Sequence, residues 1–112
     1  MEDNILESIK KRLGIVSEYD AFDDQILMDI NTVFSILHQL GLGPEDGYNI
    51  DKTTTWRQVI NKPRLNMIKN YVAMKVKLMF NPPASSFALN EMVKDISEIE
   101  WRIKSEVECY GE

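Results

Sequence analysis

NKPRLNMIKNYVAMKVKLMFNPPASSF, residues 61–87, is the most apolar stretch of the chain, and the fold turns on how it is read. Leu65, Ile68, Val72, Val76 and Met79 recur at steps of three and four, the spacing of one helix face. Met67, Tyr71, Met74 and Leu78 widen that face until little more than Lys69, Lys75 and Lys77 is left for water. A helix apolar over so much of its circumference is normally packed on more than one side. With few helices to supply cover, part of this surface is expected to serve another subunit. Asn81-Pro82-Pro83 is a hard stop, because proline lacks an N–H and disfavours helix in the residue before it.

The chain has 112 residues, near the common size of one domain, and its apolar fraction of 44% is ordinary for a protein with a packed core. The expectation is an all-α fold: a bundle-like single domain over residues 1–112 with four to five helices and one long polar loop. The formal charge is −5, and thirteen basic residues are scattered among eighteen acidic ones. A basic patch of the kind that neutralises phosphates is not visible, so long-range attraction to DNA is not expected. The single cysteine, Cys109, forms no internal disulfide or zinc site and fits a reducing compartment. Met1-Glu2-Asp3-Asn4 does not read as a signal peptide, and no apolar run approaches the ~20 residues of a membrane span.

In chain order, Asp3 or Asn4 caps a first helix with the stripe Ile5, Leu6, Ile9 and Leu13, and Gly14 stops it. Lys10, Lys11 and Arg12 fall in its last turn and read as a solvated, dipole-favoured end, or else as a contact for an acidic partner. Residues 17–24 are polar and acidic, with Asp20 or Ser17 as cap. They lack the mid-loop glycine and closing glutamate of a calcium loop. A second helix over about 21–40 carries Ile26, Leu27, Ile30, Val33, Phe34, Leu37 and Leu40, ended by Gly41, Gly43 and Pro44. His38 reads as a boundary residue. Residues 42–55 form a long connection, which Tyr48 and Ile50 are placed to pin to the core; its glycines follow no phosphate-loop pattern. Thr54 or Thr55 caps a short turn in which Trp56 is a core anchor. After the third main helix, over about 64–80, Ser85 or Ser86 caps a last helix to about residue 109. Leu89, Met92, Ile96, Ile99 and Ile103 form a narrow seam along it, continued by Tyr110. Glu98 with Arg102, Glu100 with Lys104, and Arg102 with Glu106 are spaced four apart, which contributes ~0.2–0.5 kcal/mol per pair. Trp101 falls off the seam, either as an interface residue or as the completion of the core against the third main helix.

Catalysis has no support in this pattern. One histidine, one cysteine, no metal-ligand cluster, no nucleophile elbow and no phosphate loop leave no catalytic, metal or cofactor-binding residues to name. A helix-turn-helix DNA module is disfavoured by the acidic charge and the absence of a tight three- to four-residue turn. A small cytoplasmic helical oligomerisation or regulatory module, without catalytic activity, remains open on composition alone.

One run is more specific. Tyr71-Val72-Ala73-Met74-Lys75-Val76-Lys77-Leu78-Met79-Phe80-Asn81-Pro82-Pro83, then Ser85-Ser86-Phe87, and later Glu98-Ile99-Glu100-Trp101-Arg102-Ile103, resembles the head–tail connector (adaptor) proteins of tailed bacteriophages. The resemblance covers nearly the whole chain. It implies a small helical subunit that joins a ring with the portal's twelvefold symmetry, in an active phage or a prophage. The implied partners are other copies of itself, the portal protein, and a stopper or tail-completion protein. DNA is implied only as non-specific cargo passing through the channel, with no membrane and no cofactor. The implied locations are the host cytoplasm during assembly and then the virion neck, where such rings help retain packaged DNA and dock the tail. The structural residues carried over are Leu78, Phe80, Pro82 and Pro83 at the turn and Glu100, Trp101 and Arg102 on the last helix. Asn81 stands where the family pattern has aspartate, and Lys77 where arginine is frequent; either softens a charge pair at the turn. The candidate interface residues are Trp101, Arg102, Glu100, Phe80 and Tyr71. Glu45, Asp46 and Asp51 are the candidate channel-facing acids of the long loop. A ring of about a dozen chains at −5 each would carry roughly sixty negative charges, which discourages the phosphate backbone from sticking.

Overall fold

A computed structural model describes residues 4–41, 47–60 and 65–110. α1 (Ile5–Leu13) starts at Asn4, whose Oδ1 accepts the Glu7 N–H at 3.0 Å. It ends at Gly14, in the left-handed region at φ 80°, where the Gly14 and Ile15 amides return to the Lys11 and Lys10 carbonyls. The same Asn4 donates from Nδ2 to the Lys52 carbonyl, and the Ile5 N–H reaches the Thr54 carbonyl, so the cap of α1 also ties it to residues 52–55.

α2 (Asp23–Gln39) departs from the expected cap. Phe22 occupies the cap position without a side-chain hydrogen bond, and neither Asp20 nor Ser17 fills that role. Asp23 and Asp24 in the first turn supply negative charge to the positive helix end instead. Ser17 is committed elsewhere: its hydroxyl donates to Glu7 Oε1 at 2.6 Å and its carbonyl accepts from Lys10 Nζ at 3.0 Å. Lys10 therefore departs from the picture of a solvated basic triplet, while Lys11 and Arg12 are exposed as expected. It is 1% exposed, and its Nζ lies 2.9 Å from Asp23 Oδ1. That approach is off the line a hydrogen bond needs, so the pair is Coulombic while the directed bond goes to Ser17.

α3 (Trp56–Val59) is a single turn behind Thr55, whose N–H donates to Gln58 Oε1 at 2.8 Å. Trp56 is fully buried, as expected of an anchor, and Lys69 Nζ lies 5.8 Å from its ring centroid. α4 (Leu65–Phe80) stops at the Pro82-Pro83 block, and α5 (Ser86–Tyr110) is capped by Ser85, whose Oγ accepts the Ala88 N–H at 3.2 Å. Among the described residues there is no strand, only an isolated antiparallel bridge between Asn4 and Thr55. The fold is all-α, with five helices among the described residues.

The wide apolar circumference of α4 is explained inside the chain. α4 packs against α2, α5 and α1 together, burying Ile68, Tyr71, Val72, Ala73 and Val76. Among the described side chains of α4, Met79, at its C-terminal end, is 43% exposed, and Met67, Met74, Leu78 and Phe80 are half-buried. α5, by contrast, finds its main helix neighbour in α4 alone, and buries only Ile96 and Ile103 among its described side chains. Its seam packs on α4, so its opposite face is turned outward.

Candidate assembly surface

At 3.6 residues per turn, Trp101 sits about 160° around α5 from Ile103 and about 140° from Ile96. The helix that buries those two isoleucines against α4 therefore points the indole away from the molecule. Trp101 is 69% exposed, so it does not complete the core. Arg102 beside it is exposed and pairs with Glu98 at 2.7 Å, the expected i,i+4 contact on a solvated face.

Glu100 turns the other way. It accepts the Tyr71 hydroxyl at 2.7 Å and lies 3.5 Å from Lys75 Nζ, so it joins α4 rather than Lys104 and sets the register of α5 on α4. Tyr71 is fully buried. Burial first, and the carboxylate of Glu100 second, hold its hydroxyl protonated far above the usual phenol range. As a candidate interface residue it has no ring surface to offer, because α4 points it into the core.

Phe80 is half-buried at the α4 terminus and belongs to an edge-to-face series. Its ring lies 5.4 Å from that of Phe22, and Phe22 lies 5.6 Å from Tyr19. Tyr19 and Phe22 are both partly exposed, in a segment that also exposes Glu18, Asp20 and Asp24. Sequence reasoning took this segment for helix-start chemistry alone. The signal was there: two aromatic residues three apart, in a polar stretch, outside the stripe of α2. Phe87, at the start of α5, adds a 75% exposed ring.

Of the candidate channel acids, Glu45 and Asp46 lie outside the described residues. Asp51 is exposed, but its Oδ1 accepts the Thr53 N–H at 2.8 Å, the Thr53 hydroxyl at 2.7 Å and the Thr54 hydroxyl at 3.0 Å. These bonds, those from Thr53 foremost, push its pKa below the ordinary carboxylate value. Its Oδ1 turns its own loop, on an exposed side chain. Within its described residues the loop is pinned as expected: Ile50 is buried and Tyr48 stacks edge-on to Phe34 at 5.0 Å. Asn31 adds a clamp the sequence did not betray, taking the Ile50 N–H on Oδ1 and giving Nδ2 to the Ile50 carbonyl, each at 2.9 Å.

Open grooves lie between the described helices. One, of about 1100 Å³, runs between the last turn of α1, residues 14–18 and Lys69; another, about 360 Å³, lies between Arg12, Met67, Met74 and Ile99. Among the described residues, no three His, Cys, Asp or Glu side chains gather where a metal ion could be held. What stands out chemically is exposed aromatic surface, which is enriched at protein–protein contacts.

Residues 5–109 match a family model described as phage connector protein. The chain belongs to the phage connector protein family. That family is structural, and membership gives this chain a connector role in the phage particle, in association with other head or tail proteins. Comparison with the curated proteins finds no match, and comparison with solved structures finds none. Among the described residues, no helix of this connector is long and apolar enough to cross a membrane.

Proposed function

We propose that this connector is an adaptor subunit: copies of it form a ring between the portal and the tail or stopper. The ring helps retain packaged DNA, docks the tail, and has no catalytic activity. The observation that carries this reading is Trp101, 69% exposed on the face of α5 opposite the α4 seam. Leaving a tryptophan in water forfeits part of the ~1.5–3 kcal/mol that burying a large apolar side chain returns, and tryptophan is enriched where partners bind. The net charge of −5 supports the same reading, since DNA would pass a lumen of like sign without adhering. In this reading Glu45, Asp46 and Asp51 of the 42–55 connection face the channel or a neighbour, and DNA is non-specific cargo.

The test is the mass of the purified protein in solution, alone and mixed with its cognate portal, followed by imaging of any large species. Rings stacked under the portal are expected. A monomer or dimer that ignores the portal at high concentration refutes the adaptor reading.

A further inference from the structure

Residues 14–22 form a strap between the last turn of α1 and the start of α2. None of its side chains is buried: Ile15 is half-buried, and Val16, Tyr19 and Phe22 are 65%, 49% and 44% exposed. What the strap covers is charge. Lys10 lies beneath it, 1% exposed, and Asp23, 7% exposed, follows its last residue. Polar and ring contacts tie it to the helices. Lys10 Nζ donates to the Ser17 carbonyl, the Ser17 hydroxyl donates to Glu7 Oε1, and the Phe22 ring lies 5.4 Å from that of Phe80. The Tyr19 N–H bond to the Val16 carbonyl is internal and travels with the strap. Both ends suit a pivot. Gly14 sits at φ 80° with nothing within 4 Å of where a Cβ would stand, and α2 begins at Phe22 with no side-chain cap to break. The groove of about 1100 Å³ that borders residues 14–18 gives the strap room to move.

We infer that residues 14–22 open as a unit about Gly14 and Phe22 while the helices stay packed, uncovering Lys10 and Asp23. A lid over apolar side chains is held shut because water would meet those side chains. A lid over an ion pair is not. When it lifts, the ammonium and the carboxylate regain the hydration that burial took from them, which offsets much of the attraction they give up. The strap loses no fully buried side chain of its own in opening, and a scarcity of buried apolar contacts marks a segment that opens well below the global unfolding free energy. Tyr19 and Phe22 ride on the strap, so opening moves two exposed rings and presents a cation and an anion that the closed form hides. The device belongs to the free subunit and stands apart from the adaptor reading.

The experiment is acylation of lysine side chains in the free protein by an N-hydroxysuccinimide ester, with Lys10 and the exposed Lys52 followed separately by mass spectrometry. Amide hydrogen exchange at Ile68 and Val72 reports opening of the core in the same samples. Lys10 is expected to react about 100-fold or more slowly than Lys52, yet faster than core opening allows. Below the unfolding transition its rate should barely respond to urea, because the strap exposes little surface, whereas the core amides respond steeply. Glu7→Gln replaces the charged acceptor of the Ser17 hydroxyl and should speed Lys10 acylation about tenfold, with Lys52 and the core amides unchanged. Ser17→Ala removes the same bond from the strap side and should act alike. The inference is overturned if Lys10 reacts only as fast as the core opens and with the same urea dependence. It is overturned equally by a Lys10 as reactive as Lys52, since the strap then does not close, or by both variants leaving Lys10 acylation at the wild-type rate. Binding or non-binding to the portal bears on the adaptor reading and leaves this outcome untouched.

Discussion

Replacing Lys10 by methionine removes the buried cation that holds the Ser17 carbonyl and leaves Asp23 buried. The side chains of the pair are 1% and 10% exposed, so solvent screens them little. At 2.9 Å and an effective dielectric near 20 their attraction is about 6 kcal/mol before desolvation is counted. Breaking such a pair from one side typically costs 3–5 kcal/mol, because the remaining charge is stranded. Asp23 keeps the favourable α2 dipole, which offsets roughly 0.3–1 kcal/mol, and the Ser17 carbonyl can turn to water. The net expectation is a loss of about 3–4 kcal/mol. A chain of 112 residues has roughly 6–17 kcal/mol in total, so the variant still folds, with its melting temperature lowered by about 15 °C. Urea denaturation followed by circular dichroism measures it. The double variant Lys10→Met/Asp23→Leu should recover most of the loss, because two apolar side chains replace the pair. A Lys10→Met loss below about 1 kcal/mol, or a double variant no better than the single, would refute the view that this pair is a buried, mutually dependent unit.

Other consequences are as direct. Asn31→Ala strips both hydrogen bonds from the buried Ile50 backbone and should cost about 2–3 kcal/mol, with amide exchange at Ile50 accelerating before that of the α2 core. Tyr71→Phe should cost about 1–2 kcal/mol in urea denaturation, since the hydroxyl donates to a carboxylate that retains Lys75 as partner. Asp29 is buried with Oδ2 unpartnered, and burial, opposed only by Gln25, raises its pKa above the ordinary value. A raised carboxylate weakens the fold at neutral pH and ceases to do so below its unfolded pKa. Asp29→Asn should therefore stabilise by about 1 kcal/mol at pH 7, and the gain should vanish as pH falls through the folded and then the unfolded pKa of Asp29; melting temperatures across that range decide it.

Helix identity was legible in the sequence because it is local chemistry. The 3,4 spacing of α2, α4 and α5, the Asn4 and Ser85 caps, the Gly14 stop and the Pro82-Pro83 break each act within about one turn. Trp56 as an anchor and the pinning roles of Tyr48 and Ile50 followed from apolar side chains in polar stretches. The resemblance carried the family, because it rests on a run of residues rather than on a spatial arrangement. Interaction partners far apart in the chain were decided only by tertiary structure. Lys10 looks like any helix-end lysine until α2 brings Asp23 over it, and nothing near Asn31 announces Ile50, nineteen positions on. Exposure was decided the same way. Tyr71 and Trp101 are both large aromatic residues in long helices, yet α4 has three helix neighbours and buries its tyrosine, while α5 leans mainly on one and leaves its tryptophan in solvent. Periodicity specifies which residues share a face, whereas the number of neighbours packed around a helix determines which faces stay open to solvent.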